Sequence, residues 1–376
     1  MSVAGNDTPS QCVILTGTLA TRRRACIDRA PKPTPPVGGP PSLRRLIDNA
    51  ARFGFRRFLL LAGQQGDVVS AQFPHGVHRT PGGTVTVETL IAPEHLGAGG
   101  ALRFAAAALA PSFLMLDDDA LFDVNYLSLC GSLDAGVLGR LALRPVGDAA
   151  RYGGVAWLSR DILNLIAEDG AVWLEQDVFP PAIAQRRLQT VVQEGRLLDI
   201  DAHDEPRRGA VFFDRDGVLN IDHGYTYDIA TFAWAPGARE AVRLANARGL
   251  YVFVVTNQSG VARGLYTEED VRRLHLHMQN DLREIAAHID DFRFCPHHPD
   301  AMVAAYAKDC GWRKPRPGMI HDLLAYWPVD LERSLLIGDK DSDLEAATAA
   351  GVRSVRTEGS VPLDALLSAA LQARRA

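Results

Sequence analysis

A chain of 376 residues exceeds what one ordinary core encloses and suits two domains of common size. Its formal charge of −5 leaves no surplus of Lys and Arg to neutralise a phosphate polymer, which argues against a general nucleic-acid binder; a small anionic substrate needs only a local basic site. No apolar run approaches a membrane span, and residues 1–11 (MSVAGNDTPSQ) lack the basic and apolar regions of a secretory signal, so a cytoplasmic protein without a membrane partner is expected. The five cysteines, Cys12, Cys26, Cys130, Cys295 and Cys310, are odd in number and scattered, which suits reduced thiols or a metal site better than a disulfide framework. Nothing in the sequence indicates an oligomeric state.

In chain order, the short apolar runs CVIL (12–15), RFLLLAG (57–63), FLMLD (113–117), AVFFD (210–214), YVFVVTN (251–257) and SLLIGD (334–339) read as strands. Between them lie amphipathic helical patterns, PSLRRLIDNAARFG from Pro41, PGAREAVRLANARG from Pro236, TEEDVRRLHLHMQNDLREIAAH from Thr267 and SDLEAATAAG from Ser342, several opening on Thr, Ser or Pro and closing on Gly. Alternating strands and helices predict an α/β chain with mostly parallel sheets. The polar segment 199–208 separates two such blocks, which places a domain boundary between 1–207 and 208–376.

The second block carries the chemistry. In DRDGVLN (214–220) two aspartates stand two residues apart at the end of an apolar strand, so both can leave on one side, and Gly217 permits a sharp turn beneath them. One carboxylate can attack while the other handles a proton. Two more strand ends carry polar groups, Thr256-Asn257-Gln258-Ser259 and Asp339-Lys340, and a cationic loop, Arg313-Lys314-Pro315, falls between them in sequence. Ligands of open α/β sheets bind outside the carboxyl ends of the strands. Phosphoryl transfer asks chiefly for positioning and charge stabilisation, which a hydroxyl, a lysine and a divalent ion supply. Any one of these residues alone reads equally well as a helix cap or solvated turn; the four motifs in order do not.

DRDGVLN, TNQSG (256–260), RKPRPGM (313–319) and GDKDSDLEAA (338–347) resemble the four motifs of the haloacid dehalogenase superfamily. With NIDHGY (220–225), VVTNQSGVARG (254–264) and FCPHHPD (294–300), the resemblance extends to the D-glycero-D-manno-heptose 1,7-bisphosphate 7-phosphatase family, relatives of the histidinol phosphatases. It implies a doubly wound parallel sheet and a sugar-phosphate substrate. Asp214 would form an aspartyl-phosphate, and Asp216 would protonate the leaving oxygen and then activate water. Asp214, the backbone carbonyl of Asp216 and Asp339 would hold Mg²⁺. Thr256 and Lys314 would stabilise the transferring phosphoryl group, while Asp222, His223, Gly224, Tyr225, Asn257, Gln258, Ser259, Arg313 and Lys340 would line the substrate pocket. Arg313 is expected to clamp the second phosphate, since guanidinium binds phosphate as a bidentate fork. Cys295, His297 and Cys310 resemble three ligands of the family's structural Zn²⁺ loop; Trp312 stands at the fourth position and an indole donates no ligand. A loop packed through Trp312 with two free thiols is therefore expected, with zinc completed by His298 or water as the alternative.

Residues 11–201 resemble a sugar-1-phosphate nucleotidyltransferase, through CVILTGTLATRR, PKPTPPVGG, APEHLGAGGAL, FLMLDDDALFDV and WLEQDVFP. Thr16, Thr18 and Ala20 stand where that family's nucleotide loop has Ala, Gly and Gly, which obstructs close backbone approach to phosphates, although Gly17, Arg22 and Lys32 are kept. Asp119 matches a metal-binding aspartate behind an altered Asp117-Asp118. Residues 151–159 join segments that flank a hairpin in the family, and Asp199 or Asp201 offers the second metal carboxylate without its Gly-Thr-Pro. The expectation is a truncated, degenerate nucleotidyltransferase-like domain acting as scaffold, assembly surface or allosteric site. The alternative is a bifunctional enzyme that also transfers a nucleotidyl group to heptose 1-phosphate.

Overall fold

The computed structural model describes residues 11–16, 41–64, 66–80, 83–118, 121–147, 149–193, 195–198 and 207–373. The chain forms two compact units, Met1–His203 and Asp204–Ala376.

In the first unit the elements run β1 (Gln11–Thr16), α1 (Pro41–Arg52), β2 (Arg57–Ala62), α2 (Gly66–Ala71), β3 (Val77–Thr80), β4 (Gly83–Ile91), α3 (Gly97–Phe104), β5 (Ser112–Asp117), β6 (Leu121–Asp123), β7 (Gly139–Val146), β8 (Ala149–Ser159), α4 (Phe179–Ala184), β9 (Leu188–Val192) and β10 (Arg196–Leu198). Eight strands form one sheet in the order β3-β4-β2-β1-β5-β8-β7-β9, and β10 pairs with β6. Every residue of β1 is buried, as expected of a strand covered on both faces, and its neighbours β2 and β5 run parallel to it. Val13, Leu15, Leu59, Met115 and Leu158 pack with Ala101 and Leu102 of α3 in the core.

The sheet departs from the mostly parallel reading at the edge strand β3, antiparallel to β4, and at β8, which runs antiparallel to both β5 and β7. Two residues separate β7 from β8, far too few for the crossover that parallel neighbours require. Residues 151–159 all lie in β8, so the expected join is one continuous strand. Of the nucleotide-loop and metal positions, Gly17, Thr18, Ala20, Arg22, Lys32, Asp119, Asp199 and Asp201 fall outside the described residues. Thr16 closes β1, buried.

The second unit runs β11 (Ala210–Phe213), α5 (Ala238–Ala247), β12 (Tyr251–Asn257), α6 (Ser259–Ala262), α7 (Glu268–Arg283), β13 (Asp291–Cys295), α8 (Gly318–Tyr326), β14 (Leu335–Gly338), α9 (Asp341–Ala349), β15 (Arg353–Arg356) and α10 (Leu363–Gln372). Its five strands are all parallel, in the order β13-β12-β11-β14-β15. Val211, Val252 and Ile337 face Ala241 and Val242 of α5, Met278 of α7 and Leu367 of α10. Phe212, Phe253 and Leu336 face Ile320 and Leu323 of α8 and Ala346 and Ala347 of α9. Alternate residues of each strand thus feed opposite layers, as a doubly wound sheet requires. The chain leaves the central β11 first toward β12 and later returns to its other side as β14, so the order reverses there and a crevice opens at the carboxyl ends of these strands.

Candidate active site

The turn after β11 is fixed before any side chain is considered. Asp214 N donates to the Ile337 carbonyl at 3.0 Å, and the Arg215 carbonyl accepts from Leu219 N at 2.9 Å and Asn220 N at 3.1 Å. Gly217 has φ +86°, and a Cβ there would lie 2.6 Å from Asp339 Oδ2, so both the turn and the approach of Asp339 need glycine.

Asp214 is 5% exposed. Lys314 Nζ bridges Asp214 Oδ1 at 2.8 Å and Asp343 Oδ1 at 2.6 Å, and it donates to the Val255 carbonyl at 2.8 Å. Asn257 holds that lysine in place, its Oδ1 accepting from Lys314 N at 3.0 Å and its Nδ2 donating to the Lys314 carbonyl at 3.1 Å. Burial pushes the Asp214 carboxyl up to about 6, with Lys314 opposing and the Asp343 charge adding to the rise. Burial works to lower the Lys314 ammonium, but Asp214 and Asp343 outweigh it and hold the group above its ordinary value. Burial also raises Asp339, against the pull of Lys340.

Asp216 is gripped from behind. Arg215 donates from Nε and Nη2 to Asp216 Oδ1 at 3.0 and 2.8 Å and from Nη2 to Oδ2 at 2.9 Å. Gln258 Nε2 donates to the same Oδ2 and to Thr256 Oγ1, both at 2.8 Å, while Gln258 Oε1 accepts from Tyr266 OH at 2.7 Å. Gln258 therefore underpins the site rather than lining it.

A cleft of about 210 Å³ lies over these groups, with Asp214, Asp216, Asp222, Gly224, Tyr225, Thr256, Asn257, Ser259, Lys314 and Lys340 in its wall. The sequence reading places those ten there. It does not anticipate Tyr266, Ser342 or Asp343, which also line it. His223 and Arg313 are absent from the lining, and Arg313 Nη1 instead donates to the His297 carbonyl at 3.2 Å. At the rim, Asp222 Oδ1 accepts from Gly224 N at 2.8 Å, and Tyr225 adopts a positive φ of 57° with the Arg263 guanidinium 5.9 Å from its ring.

Oxygens of Asp214, Asp339 and Asp343 lie within 4.8 Å of one another, close enough to share an ion. Asp339 Oδ1 is buried and has no partner among the described residues. The carboxylates of Asp214, Asp216, Asp222, Asp339 and Asp343 outnumber the cations Lys314, Lys340 and Arg215 around the cleft. An all-oxygen set with surplus negative charge fits a hard divalent cation such as Mg²⁺. At a second place Cys295, His297 and Cys310 also bring donor atoms within 4.8 Å, with Cys295 Sγ 3.8 Å from His297 Nδ1. Trp312 contributes only its backbone N–H, 3.4 Å from Cys310 Sγ, and the described residues add no fourth ligand to that group. Burial pushes the Cys295 thiol up to about 11. A closed structural zinc site takes four ligands, and these residues do not complete one.

The parallel doubly wound sheet and the aspartate, threonine, lysine and aspartates at its carboxyl edge define a phosphoric monoester hydrolase of the haloacid dehalogenase type, and the HAD-hydrolase-like family model matches residues 311–370. A D-glycero-beta-D-manno-heptose-1,7-bisphosphate 7-phosphatase of Rhodopseudomonas palustris is 53% identical over 154 residues, which span 41% of this chain and 86% of that protein. The chain belongs to the family of these heptose bisphosphate phosphatases. Among solved structures, a D,D-heptose 1,7-bisphosphate phosphatase from B. bronchiseptica is 28% identical, with a TM-score of 0.38 covering 44% of this chain and 99% of that one. The inositol-1-phosphate CTP transferase from T. maritima is 14% identical, with a TM-score of 0.38 covering 53% of this chain and 91% of that one. No helix among the described residues is long and apolar enough to cross a membrane.

Proposed function

We propose that the second unit removes the 7-phosphate of D-glycero-D-manno-heptose 1,7-bisphosphate by way of an aspartyl-phosphate, in the supply of nucleotide-activated heptose for surface polysaccharide such as lipopolysaccharide. One observation carries the chemistry: Asp214, buried at the end of the central strand, is held by Lys314, whose charge is shared with Asp343. Asp214 attacks phosphorus. Lys314 and Thr256 meet the charge on the phosphoryl oxygens, and Asp216 gives its proton to the departing sugar oxygen and takes one from the water that attacks next. Asp214, Asp339 and Asp343, with the backbone carbonyl of Asp216, would hold Mg²⁺, which when bound supplies positive charge for the substrate phosphate. Asp222, Gly224, Tyr225, Asn257 and Ser259 contact the sugar, and Lys340, with its side chain 58% exposed at the rim, is the cation proposed for the second phosphate.

The substrate is tested by ³¹P NMR of the full chain with Mg²⁺ and the α and β anomers of the bisphosphate, with histidinol phosphate alongside. Loss of the 7-phosphate signal from one heptose anomer is expected. Turnover of histidinol phosphate alone would replace the sugar in this reading and leave the chemistry intact.

A further inference from the structure

The hydrogen bonds around Asp216 ask why a guanidinium sits in the core of this unit. Arg215 is 0% exposed, and its Nη1 has no partner among the described residues. Burying a charge is costly unless its pairing is complete, and well-packed apolar groups often serve stability as well or better. An arginine with an orphaned nitrogen is therefore poorly explained as a device for stability. What the side chain does achieve is specific: its fork closes on both oxygens of Asp216, and Nη2 reaches on to the Thr226 carbonyl at 2.7 Å and Gln258 Oε1 at 3.2 Å. The Thr226 contact anchors the guanidinium to the chain just beyond the DHGY loop, and the Gln258 contact ties it to the end of β12. Asp216 itself keeps 17% of its side chain open to the cleft.

We propose that Arg215 is a positioning residue for the phosphatase reaction, fixing the carboxylate of Asp216 in the orientation in which it meets the leaving oxygen. The inference rests on the reading of Asp216 as acid and base. The carboxylate turns about two side-chain torsions, and without the fork only the Gln258 Nε2 contact to Oδ2, at 2.8 Å, would restrain it at the cleft among the described residues. A planar fork removes that freedom, whereas a lysine, a point charge on a flexible stem, would restore only part of it. Arg215 is buried and is not among the residues that line the cleft, so its effect runs through Asp216.

The leaving group separates this role from a merely structural one. Departure of a sugar alkoxide needs a proton, whereas departure of p-nitrophenolate does not. The full chain with Mg²⁺ is compared as wild type, Arg215→Met, Arg215→Lys and Asp216→Asn, reading kcat/KM for the heptose bisphosphate and for p-nitrophenyl phosphate. Loss of a positioned general acid costs about 100-fold or more. Arg215→Met is expected to lose that much on the sugar phosphate and only a few-fold on the aryl phosphate, with Arg215→Lys between it and wild type on the sugar alone. If Asp216→Asn shows the selective loss and Arg215→Met either loses both activities in parallel or keeps both, the positioning role is wrong. If Asp216→Asn is itself unselective, the acid role of Asp216 fails, and the inference with it. Should Arg215→Met not fold, Arg215→Lys decides by the same ratio: a selective loss supports the role, and equal effects overturn it.

Discussion

At the scale of single residues, the site is a set of buried charges balanced against one another, and removing one exposes the rest. Lys314→Met leaves Asp214 and Asp343 facing each other without their shared cation, and breaking such a buried set costs about 3–5 kcal/mol. Loss of phosphatase activity together with a marked drop in urea midpoint is expected, and an unchanged midpoint would contradict the balance described. His275 offers a pH prediction. Burial holds its imidazole well below the ordinary value, with the Arg215 charge pushing the same way, and the ring stacks on Phe292 at 4.3 Å between centroids. Below about pH 6.5 the unfolded chain takes up a proton that the folded chain refuses, so stability falls as pH drops, by up to ~1.4 kcal/mol per pH unit. His275→Phe keeps an aromatic ring there and should flatten that part of the decline between pH 7 and 5, measured by urea denaturation. Much of the site is legible in the sequence because its residues close strands in recognisable motifs. Asp343 is not, since an aspartate in the first turn of a helix is ordinary dipole chemistry and only the fold turns it toward Lys314. Arg215 is hidden for a related reason: strand alternation assigns it to the face away from its neighbours, yet β11 ends at Phe213 and the turn folds it back onto Asp216.

At the scale of elements, the strands read from sequence are short apolar runs: CVIL, RFLLLAG, AVFFD, YVFVVTN and SLLIGD all lie on observed strands, within a residue at each end, whereas β3, β4, β6, β9, β10, β13 and β15 are not among the runs read there. The helix from Thr267 is similarly clear, since Thr267 and Asp270 form the capping box that opens α7. The antiparallel β7–β8 pair is missed because its strands carry mixed residues, Arg140, Arg144 and Arg151 among them, so no clean alternation marks them. The turn after β11 is the element on which the site depends most. Gly217→Ala adds a side chain at φ +86° and drives a methyl against Asp339. It should weaken Mg²⁺ binding by at least tenfold in isothermal titration, with the rest of the sheet intact by circular dichroism. Unchanged affinity would mean that Asp339 does not need this close approach.

At the scale of the whole molecule, two α/β units share one chain, and their sequences carry different amounts of information. The second unit brings Asp214, Asp216, Thr256 and Lys314 into the wall of one cleft, with Asp339 beside Asp214. The first shows Thr16 in a position where the nucleotide-loop resemblance calls for a smaller residue, with further side chains at Thr18 and Ala20. A scaffold or regulatory role is proposed for it, and the full chain should release no pyrophosphate from any nucleoside triphosphate with heptose 1-phosphate. Release with one nucleotide would make the enzyme bifunctional. Rapid acid quench of the full chain with Mg²⁺ and substrate labelled in the scissile phosphate should trap a base-labile acyl phosphate in wild type and none in Asp214→Asn, which should also lose turnover. A stoichiometric acyl phosphate in Asp214→Asn, or full turnover without Asp214, would show that another group is the nucleophile.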